Sequence, residues 1–107
     1  YDYTEKSKLI FGRTGPLWYR GIASDYKYYD KIEEEMLDKI LNYYGAKQIA
    51  IGHTIVDDVI TTDFGNKVIL LDIHHDGNKF SGKSQGVLFE GNQEFIVDDK
   101  GNRNKIK

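Results

Sequence analysis

His53 is the residue in this sequence best placed to bind a metal ion. It follows Gly52 at the end of the apolar run 48–51, a pattern typical of a buried strand whose end brings polar residues to an edge. A neutral imidazole is a common ligand for zinc, manganese and iron. From spacing alone, a single histidine is more often structural or solvent-exposed, so this pattern by itself favours the ordinary role.

A second set of possible ligands is the consecutive trio His74, His75 and Asp76. Successive residues of a strand point to opposite faces, so the two histidines are not expected to chelate one ion unless the strand has already ended. The pair Asp57 and Asp58 presents the same difficulty and is interpreted as charge at a turn or a strand edge. For both sets, the interpretation as surface residues is favoured over a role as metal ligands.

Arg20 is the residue best suited to contact phosphate. It lies in the segment 15–21, Gly-Pro-Leu-Trp-Tyr-Arg-Gly, between aromatic residues and glycines. A planar guanidinium matches phosphate oxygens, and neighbouring rings can fix its direction by stacking. The alternative is that Trp18 and Tyr19 cover the core while Arg20 forms a structural ion pair. On chemistry alone, that alternative is slightly favoured.

One amphipathic helix is predicted between Arg20 and His53. It begins with Asp30 as N-cap and Glu33 three residues later, and it ends at Gly45. Its apolar residues recur at helical spacing: Ile32, Met36, Leu37, Ile40, Leu41 and Tyr44. The tyrosines just before the helix are expected to pack its N-terminal end; they are Tyr26, Tyr28 and Tyr29.

Several strands follow the helix. The runs 58–63 and 67–73 predict a hairpin around Phe64-Gly65-Asn66, and the runs 87–90 and 93–97 predict a second around Gly91-Asn92. The first 14 residues are interpreted as a leading segment and a loop, and the polar stretch 98–107 is expected to fray. The order of elements predicts the α+β class, with one main helix packed on a small mixed or mostly antiparallel sheet.

Composition narrows the functional classes. The chain has 107 residues, which suits one compact unit, and its formal net charge of -2 gives no reason to expect a nucleic acid partner. No apolar run is long enough to span a bilayer, and the absence of cysteine excludes a thiol nucleophile and a thiolate metal site in this chain. Because Tyr1-Asp2-Tyr3 is neither an initiator methionine nor a signal peptide, we expect the chain to begin inside a longer protein. Its location, cytoplasmic or exported, would then depend on what precedes it.

Three features in chain order resemble one protein family. They are the segment 15–21, the amphipathic helix, and Ile-Ala-Ile-Gly-His-Thr at 49–54 followed by Val-Ile-Leu-Leu-Asp at 68–72. Together they resemble the C-terminal half of bacterial calcineurin-like metallophosphoesterases, close to the serine/threonine protein phosphatase type. The resemblance covers residues 9–97, and it implies that 1–107 is the C-terminal portion of such a domain, one half of a layered β-sandwich.

The resemblance also implies roles for two residues. In that family the histidine of Gly-His-Thr is a ligand of a site for two divalent metal ions, here Mn, Fe or Zn, which assigns His53 as a metal ligand. An arginine in the upstream loop is a phosphate contact, which assigns Arg20. The family's aspartate-containing and Asn-His-Glu motifs have no counterpart here, so the isolated chain is expected to be inactive in phosphomonoester hydrolysis.

Partners and alternatives follow from the same resemblance. The expected partners are a phosphorylated substrate and the missing N-terminal half, with self-association through the apolar face which that half would cover. One alternative is a non-catalytic binding or interaction module that presents the tyrosines. The other is a small metal-binding protein that uses His53 with His74 or His75.

Overall fold

A computed structural model of the chain describes residues 4–75 and 77–106. The chain divides into two compact units rather than the single unit that its length suggests: the N-terminal unit is Tyr1–Lys47 and the C-terminal unit is Gln48–Lys107. The described residues form two helices and two small sheets of three strands each, which confirms the α+β class. No helix among residues 4–75 and 77–106 is long and apolar enough to cross a membrane.

The first helix, α1, spans Glu5–Phe11 and was not predicted from the sequence. Thr4 caps it, because the Thr4 hydroxyl oxygen accepts a hydrogen bond from the Ser7 backbone N–H at 3.2 Å. Glu5 and Lys8 form an ion pair at 2.9 Å one turn apart. None of its residues is buried, so α1 has no apolar stripe by which sequence periodicity could reveal it.

The second helix, α2, spans Glu34–Tyr44 and is the predicted amphipathic helix, although it begins later than expected. Its N-cap is Glu33 rather than Asp30, and no side-chain hydrogen bond caps it. Asp30 instead adopts a left-handed backbone conformation with φ of 56°. Gly45 ends the helix as predicted: its φ is 61°, and its N–H donates to the carbonyls of Leu41 and Asn42.

The buried stripe of α2 is narrower than the periodicity suggests. Leu37 and Leu41 are the buried residues of the helix. Met36 and Tyr44 belong to the predicted apolar face but are 51% and 75% exposed. The packing of this helix on a sheet stays a prediction.

The first sheet of the C-terminal unit is mixed. Its strands are β1 (Ile49–Ile51), β2 (Thr61–Asp63) and β3 (Val68–Leu70), in the order β1-β3-β2. β3 is parallel to β1 and antiparallel to β2, so the predicted hairpin around Phe64-Gly65-Asn66 is confirmed with shorter strands. Every residue of the central strand β3 is buried.

The second sheet is antiparallel. Its strands are β4 (Gln85–Glu90), β5 (Gln93–Asp98) and β6 (Arg103–Lys105), in chain order. The predicted hairpin around Gly91-Asn92 is confirmed, with Gly91 at a φ of 61°. The core of this unit contains Ile60, Ile69 and Ile73, with Leu71, Val87 and Ile96 packed against it.

The expectation that 98–107 frays is wrong for the part that forms β6. The Asp98 carboxylate accepts hydrogen bonds from the backbone N–H groups of Lys100 and Asn102, each at 2.9 Å, which closes a tight turn after β5. Arg103 then lies over the Phe95 ring at 3.9 Å and forms an ion pair with Glu90. Polar residues can therefore extend a sheet when a side-chain-supported turn aligns them.

Candidate functional site

His53 lies two residues beyond the end of β1 and has a backbone conformation that residues other than glycine seldom adopt. Its φ is 62°, in the left-handed region, and its side chain is exposed. Such a conformation costs on the order of 1–3 kcal/mol and is concentrated at functional sites in proteins. The predicted strand end thus brings His53 to the surface, as the sequence pattern indicates.

The parallel pairing of β1 and β3 determines what lies near the end of β1. Ile51 pairs with Leu70, and the Leu71 N–H donates to the Ile51 carbonyl at 2.9 Å. The segments that follow the two strands, which carry His53 and Asp72, therefore leave the sheet at the same edge. Carboxyl ends of neighbouring parallel strands are a common location for ligand sites.

His74 is paired with an acidic residue far away in the sequence. An isolated parallel bridge between Asp57 and Ile73 aligns the two segments, and the His74 Nδ1 lies 3.0 Å from the Asp58 Oδ1. Both side chains are exposed. Sequence analysis singled out the Asp57-Asp58 and His74-His75 pairs but missed this contact, because a bridge between such distant segments leaves no local signal.

The described residues do not contain a complete metal site. No group of three or more histidine, aspartate or glutamate side chains in residues 4–75 and 77–106 is arranged to hold a metal ion. Asp76, one of the ligands weighed above, lies outside the described residues. A metal ion at His53 would need ligands from beyond the described part of the chain.

Arg20 belongs to the N-terminal unit, on a loop that is closely packed against the segment before α2. The Tyr19 hydroxyl donates to the Asp30 carbonyl at 2.7 Å, and the Ile32 N–H donates to the Gly21 carbonyl at 2.9 Å. A Cβ at Gly21 would overlap the Tyr19 hydroxyl and the Asp30 carbonyl oxygen. The loop therefore needs glycine next to Arg20.

The alternative explanation of the Trp-Tyr-Arg segment is only partly consistent with the structure. Trp18 is 51% exposed, so it does not cover a core, whereas Tyr19 is partly buried. Burial raises the pKa of the Tyr19 hydroxyl, and the nearby Asp30 carboxylate raises it further. Arg20 itself is half-buried, and both the phosphate role and the ion-pair role stay open for it.

Two solved structures are similar to this chain. One is the cold-active protein-tyrosine phosphatase of the psychrophile Shewanella sp., which matches with a TM-score of 0.64 and 28% identity over 97% of this chain and 29% of that chain. The other, a point mutant of a cold-active protein tyrosine phosphatase, gives the same values. No protein-family model matches the sequence, and no match was found among curated proteins.

These comparisons support similarity to a phosphatase in general and do not test the resemblance to one particular phosphatase family. The chain spans 29% of the length of the structures it matches, and both of those proteins are named as tyrosine phosphatases. Neither name mentions a calcineurin-like metallophosphoesterase, so that resemblance stays a prediction. The chain is similar in fold to one part of a phosphatase.

Proposed function

We propose that this chain is the C-terminal part of a phosphoester hydrolase of the calcineurin-like type, which uses two divalent metal ions. The observation that carries the proposal is the similarity of nearly the whole chain, 97% of it at 28% identity, to part of a phosphatase. In this proposal the two helices and two sheets form one half of a layered β-sandwich, and the other half lies upstream of Tyr1.

His53 is proposed to bind one of the two ions. Its left-handed backbone and exposed imidazole at the edge shared by the ends of β1 and β3 support this role. The remaining ligands would come from the upstream half. When bound, such ions, Mn, Fe or Zn, would activate water and polarise the phosphoryl oxygens.

Arg20 is proposed to contact the phosphate group of the substrate. Its fork of N–H donors can form charge-assisted hydrogen bonds to two phosphoryl oxygens, which carry negative charge in the substrate and in the transition state. The hydrogen bonds of Tyr19 and Gly21 to the segment before α2 would hold the loop in place for this contact. Preorganised donors of this kind lower the barrier because they need no rearrangement during the reaction.

The proposed substrate is a phosphorylated protein side chain, including phosphotyrosine, the substrate class in the names of the two similar proteins. Hydrolysis of such a substrate can proceed through a cysteine nucleophile or through metal-activated water. This chain contains no cysteine. A cysteine-dependent parent would therefore take its nucleophile from outside these residues, and His53 and Arg20 would have other roles.

The full-length parent tests the proposal. Hydrolysis of p-nitrophenyl phosphate should be abolished by a chelator and restored by Mn, Fe or Zn, and it should be insensitive to thiol alkylation. Phosphotyrosine and phosphoserine peptides would then separate the two substrate classes. Activity that survives the chelator and is lost on alkylation would overturn the metal mechanism. The isolated 107-residue chain is the inactive control.

A non-catalytic binding module is the second candidate, and an exposed aromatic cluster favours it. The Tyr26 and Tyr28 rings lie 5.1 Å apart, and both side chains are at least half exposed. Arg13 and Lys27 each lie 5.2 Å from the centre of the Tyr28 ring. A parent whose upstream sequence lacks the aspartate and Asn-His-Glu motifs would favour this candidate over the enzyme.

A small metal-binding protein is the third candidate. It would use His53 with His74 or His75, and tight stoichiometric metal uptake by the isolated chain would support it. His74 is instead close to Asp58, and no three-ligand group occurs in the described residues. We therefore place this candidate behind the other two.

A further inference from the structure

The strand β4 forms one edge of the antiparallel sheet, and β6 forms the other. β4 is six residues long, whereas the other edge strands among the described residues, β1, β2 and β6, have three residues each. Proteins protect sheet edges from pairing with other chains by short length, charge or proline. β6 is short and contains Arg103 and Lys105, whereas residues 85–89 of β4 are Gln-Gly-Val-Leu-Phe. The edge at β4 is therefore unprotected.

The pairing of β5 shows which residues of β4 direct their backbone groups outward. The Glu94 carbonyl accepts a hydrogen bond from the Ile106 N–H at 2.8 Å, on the β6 side of β5. Phe89 is opposite Glu94, and opposite residues of an antiparallel pair either face each other or both face away, so Phe89 points away from β5. Alternate residues share this direction, which adds Gln85 and Val87. No described strand pairs with this outer edge.

The side chains of β4 leave apolar surface uncovered. Phe89 is 58% exposed and Leu88 is 38% exposed, on opposite faces of the sheet. Gly86 shares a face with Leu88, and its surroundings are open: of the described residues, Val97 alone approaches the position of an added Cβ, at 4.0 Å. A strand placed beside β4 could therefore cover Phe89 and fill the space at Gly86.

We propose that β4 pairs in the antiparallel direction with β4 of a second copy of this chain, with Val87 on the two-fold axis. Val87 of one copy is then opposite Val87 of the other, and Gln85 is opposite Phe89, so every outward-directed residue gains a backbone partner. Leu88 of each copy is opposite Gly86 of the other and covers its open surface. This interaction goes beyond the proposed function and requires neither a metal ion nor the upstream half.

Charge favours this occupant and this direction. Glu90, at the end of β4, is its one charged residue. Antiparallel pairing about Val87 places the two Glu90 residues roughly 20 Å apart along the strands, whereas parallel pairing would put them side by side. The formal net charge of -2 gives little long-range repulsion between two copies.

The same pairing also limits the size of the assembly. A β4–β4 ladder leaves β6 at both outer edges of the combined sheet. Two such edges would bring Arg103 and Lys105 of different dimers together, and like charges on neighbouring strands repel. The expected species is therefore a closed dimer rather than a fibre.

The test is sedimentation equilibrium of the 107-residue protein without metal or phosphate, with amide exchange followed by NMR. Two paired strands bury less surface than a standard interface, so we expect a monomer–dimer equilibrium with a Kd on the order of 100 μM. Exchange at Val87 and Phe89 should slow as the protein concentration rises, whereas Leu88, which faces β5, should stay protected. A monomer at every concentration up to about ten times that Kd, growth beyond the dimer, or exchange independent of concentration would overturn the proposal.

Matched variants make the test specific. Phe89→Lys should weaken association about tenfold, because both Phe89–Gln85 pairs of the dimer change, and the fold should be kept because Phe89 is exposed. Phe11→Lys is the same substitution at a residue that is 53% exposed in α1, and it should leave the Kd unchanged. Equal effects of the two variants would assign association to exposed apolar residues in general and overturn the pairing of β4.

The full-length parent distinguishes a second copy from a strand of the same molecule. Protection of Val87 and Phe89 that persists at every dilution of the parent would assign the edge to the parent's own chain and overturn pairing between copies. Protection lost on dilution supports the dimer. None of these measurements depends on hydrolysis, so their failure and the failure of the metal mechanism are separate results.

Discussion

The described part of the N-terminal unit consists of two helices and the loops around them, whereas the C-terminal unit is built around a buried strand. The buried apolar residues of the former are Ala23 and Ile32, which precede α2, and Leu37 and Leu41 on α2 itself. In the latter, all of β3 is buried and contributes Ile69 to a cluster with Ile60 and Ile73. The loop of Arg20 is joined to the segment before α2 by hydrogen bonds of Tyr19 and Gly21, and the strand that precedes His53 is paired with the buried strand β3.

This contrast extends to the two candidate functional residues. His53 has a left-handed φ at the end of a strand, whereas Arg20 lies beside a glycine that has no space for a Cβ. One residue is proposed to bind a metal ion and the other to bind phosphate. We therefore expect substitutions at the two residues, and in the units that carry them, to have different effects.

The largest effect is expected for His53→Ala in the full-length parent. Removal of a direct ligand should reduce metal content, and turnover should fall to background because the ions supply several kcal/mol of transition-state stabilisation. Metal analysis alongside p-nitrophenyl phosphate hydrolysis measures both. A variant that keeps two metal ions and turns over normally would show that His53 is not a ligand.

A core substitution in the C-terminal unit should have the next largest effect. Ile69 is fully buried in β3, so Ile69→Ala should reduce the free energy of unfolding by about 2–5 kcal/mol through lost packing and a residual cavity. Ile55→Ala is the matched control, since Ile55 is 51% exposed and its truncation should cost little. Chemical denaturation measures both variants, and equal values would contradict the assignment of β3 as the core.

Arg20→Ala tests the phosphate role in the parent. Loss of donors to the developing charge should cost about 2–4 kcal/mol of transition-state stabilisation, or roughly 30- to 1,000-fold in rate. The metal ions should remain bound, in contrast to His53→Ala. Loss of metal from the Arg20 variant would reverse the assignment of the two roles.

Gly21→Ala tests the packing of the N-terminal loop. The added methyl group would overlap the Tyr19 hydroxyl and the Asp30 carbonyl oxygen, and such overpacking costs about 1–3 kcal/mol. Gly52→Ala is the control in the other unit, because nothing lies within 4 Å of a Cβ there. Thermal unfolding should separate the two variants, and an unchanged midpoint for Gly21→Ala would contradict a loop held by close contact.

Sequence analysis predicted the parts of the fold that have local signals. The periodicity of α2, the Gly45 stop and the two hairpins around Phe64-Gly65-Asn66 and Gly91-Asn92 all leave patterns within a few residues. It missed α1, because that helix buries no residue, and it misplaced the start of α2 at Asp30, whose left-handed backbone depends on contacts with the preceding loop. Local propensity cannot report contacts of that kind.

The candidate site was likewise predictable where its signal is local in the sequence and not where it depends on contacts between distant segments. His53 follows from the apolar run before Gly52, and its exposed position at a strand end agrees with that pattern. The contact of His74 with Asp58 arises from the bridge between Asp57 and Ile73, segments that are distant in the chain. Sequence spacing identified the residue types but could not show which of them meet.

The smallest effect concerns Asp98 and the turn before β6. Hydrogen bonding from the Asn102 side chain, assisted by the backbone N–H groups of Asn102 and Lys100, lowers the pKa of the Asp98 carboxyl below its usual value of 3.8. Because the pKa of Asp98 is lower in the folded state than in the unfolded state, its carboxylate stabilises the turn fully at pH values above the unfolded-state pKa. That stability is lost as the pH falls through the folded pKa.

Asp98→Asn should therefore weaken the turn at neutral pH. The Asn102 side-chain amide donates to the Asp98 Oδ2 at 2.8 Å, and an asparagine at position 98 would place an amino group against that donor. Cross-strand NOEs between β5 and β6 should be weaker in the variant at neutral pH, and the two proteins should converge as the pH falls through the folded-state pKa of the Asp98 carboxyl. Glu5→Gln in α1 is the control, because its ion pair with Lys8 lies in the N-terminal unit and should leave these NOEs unchanged. A difference that persists at low pH would show that packing of Arg103 on Phe95, rather than the Asp98 carboxylate, holds β6 in the sheet.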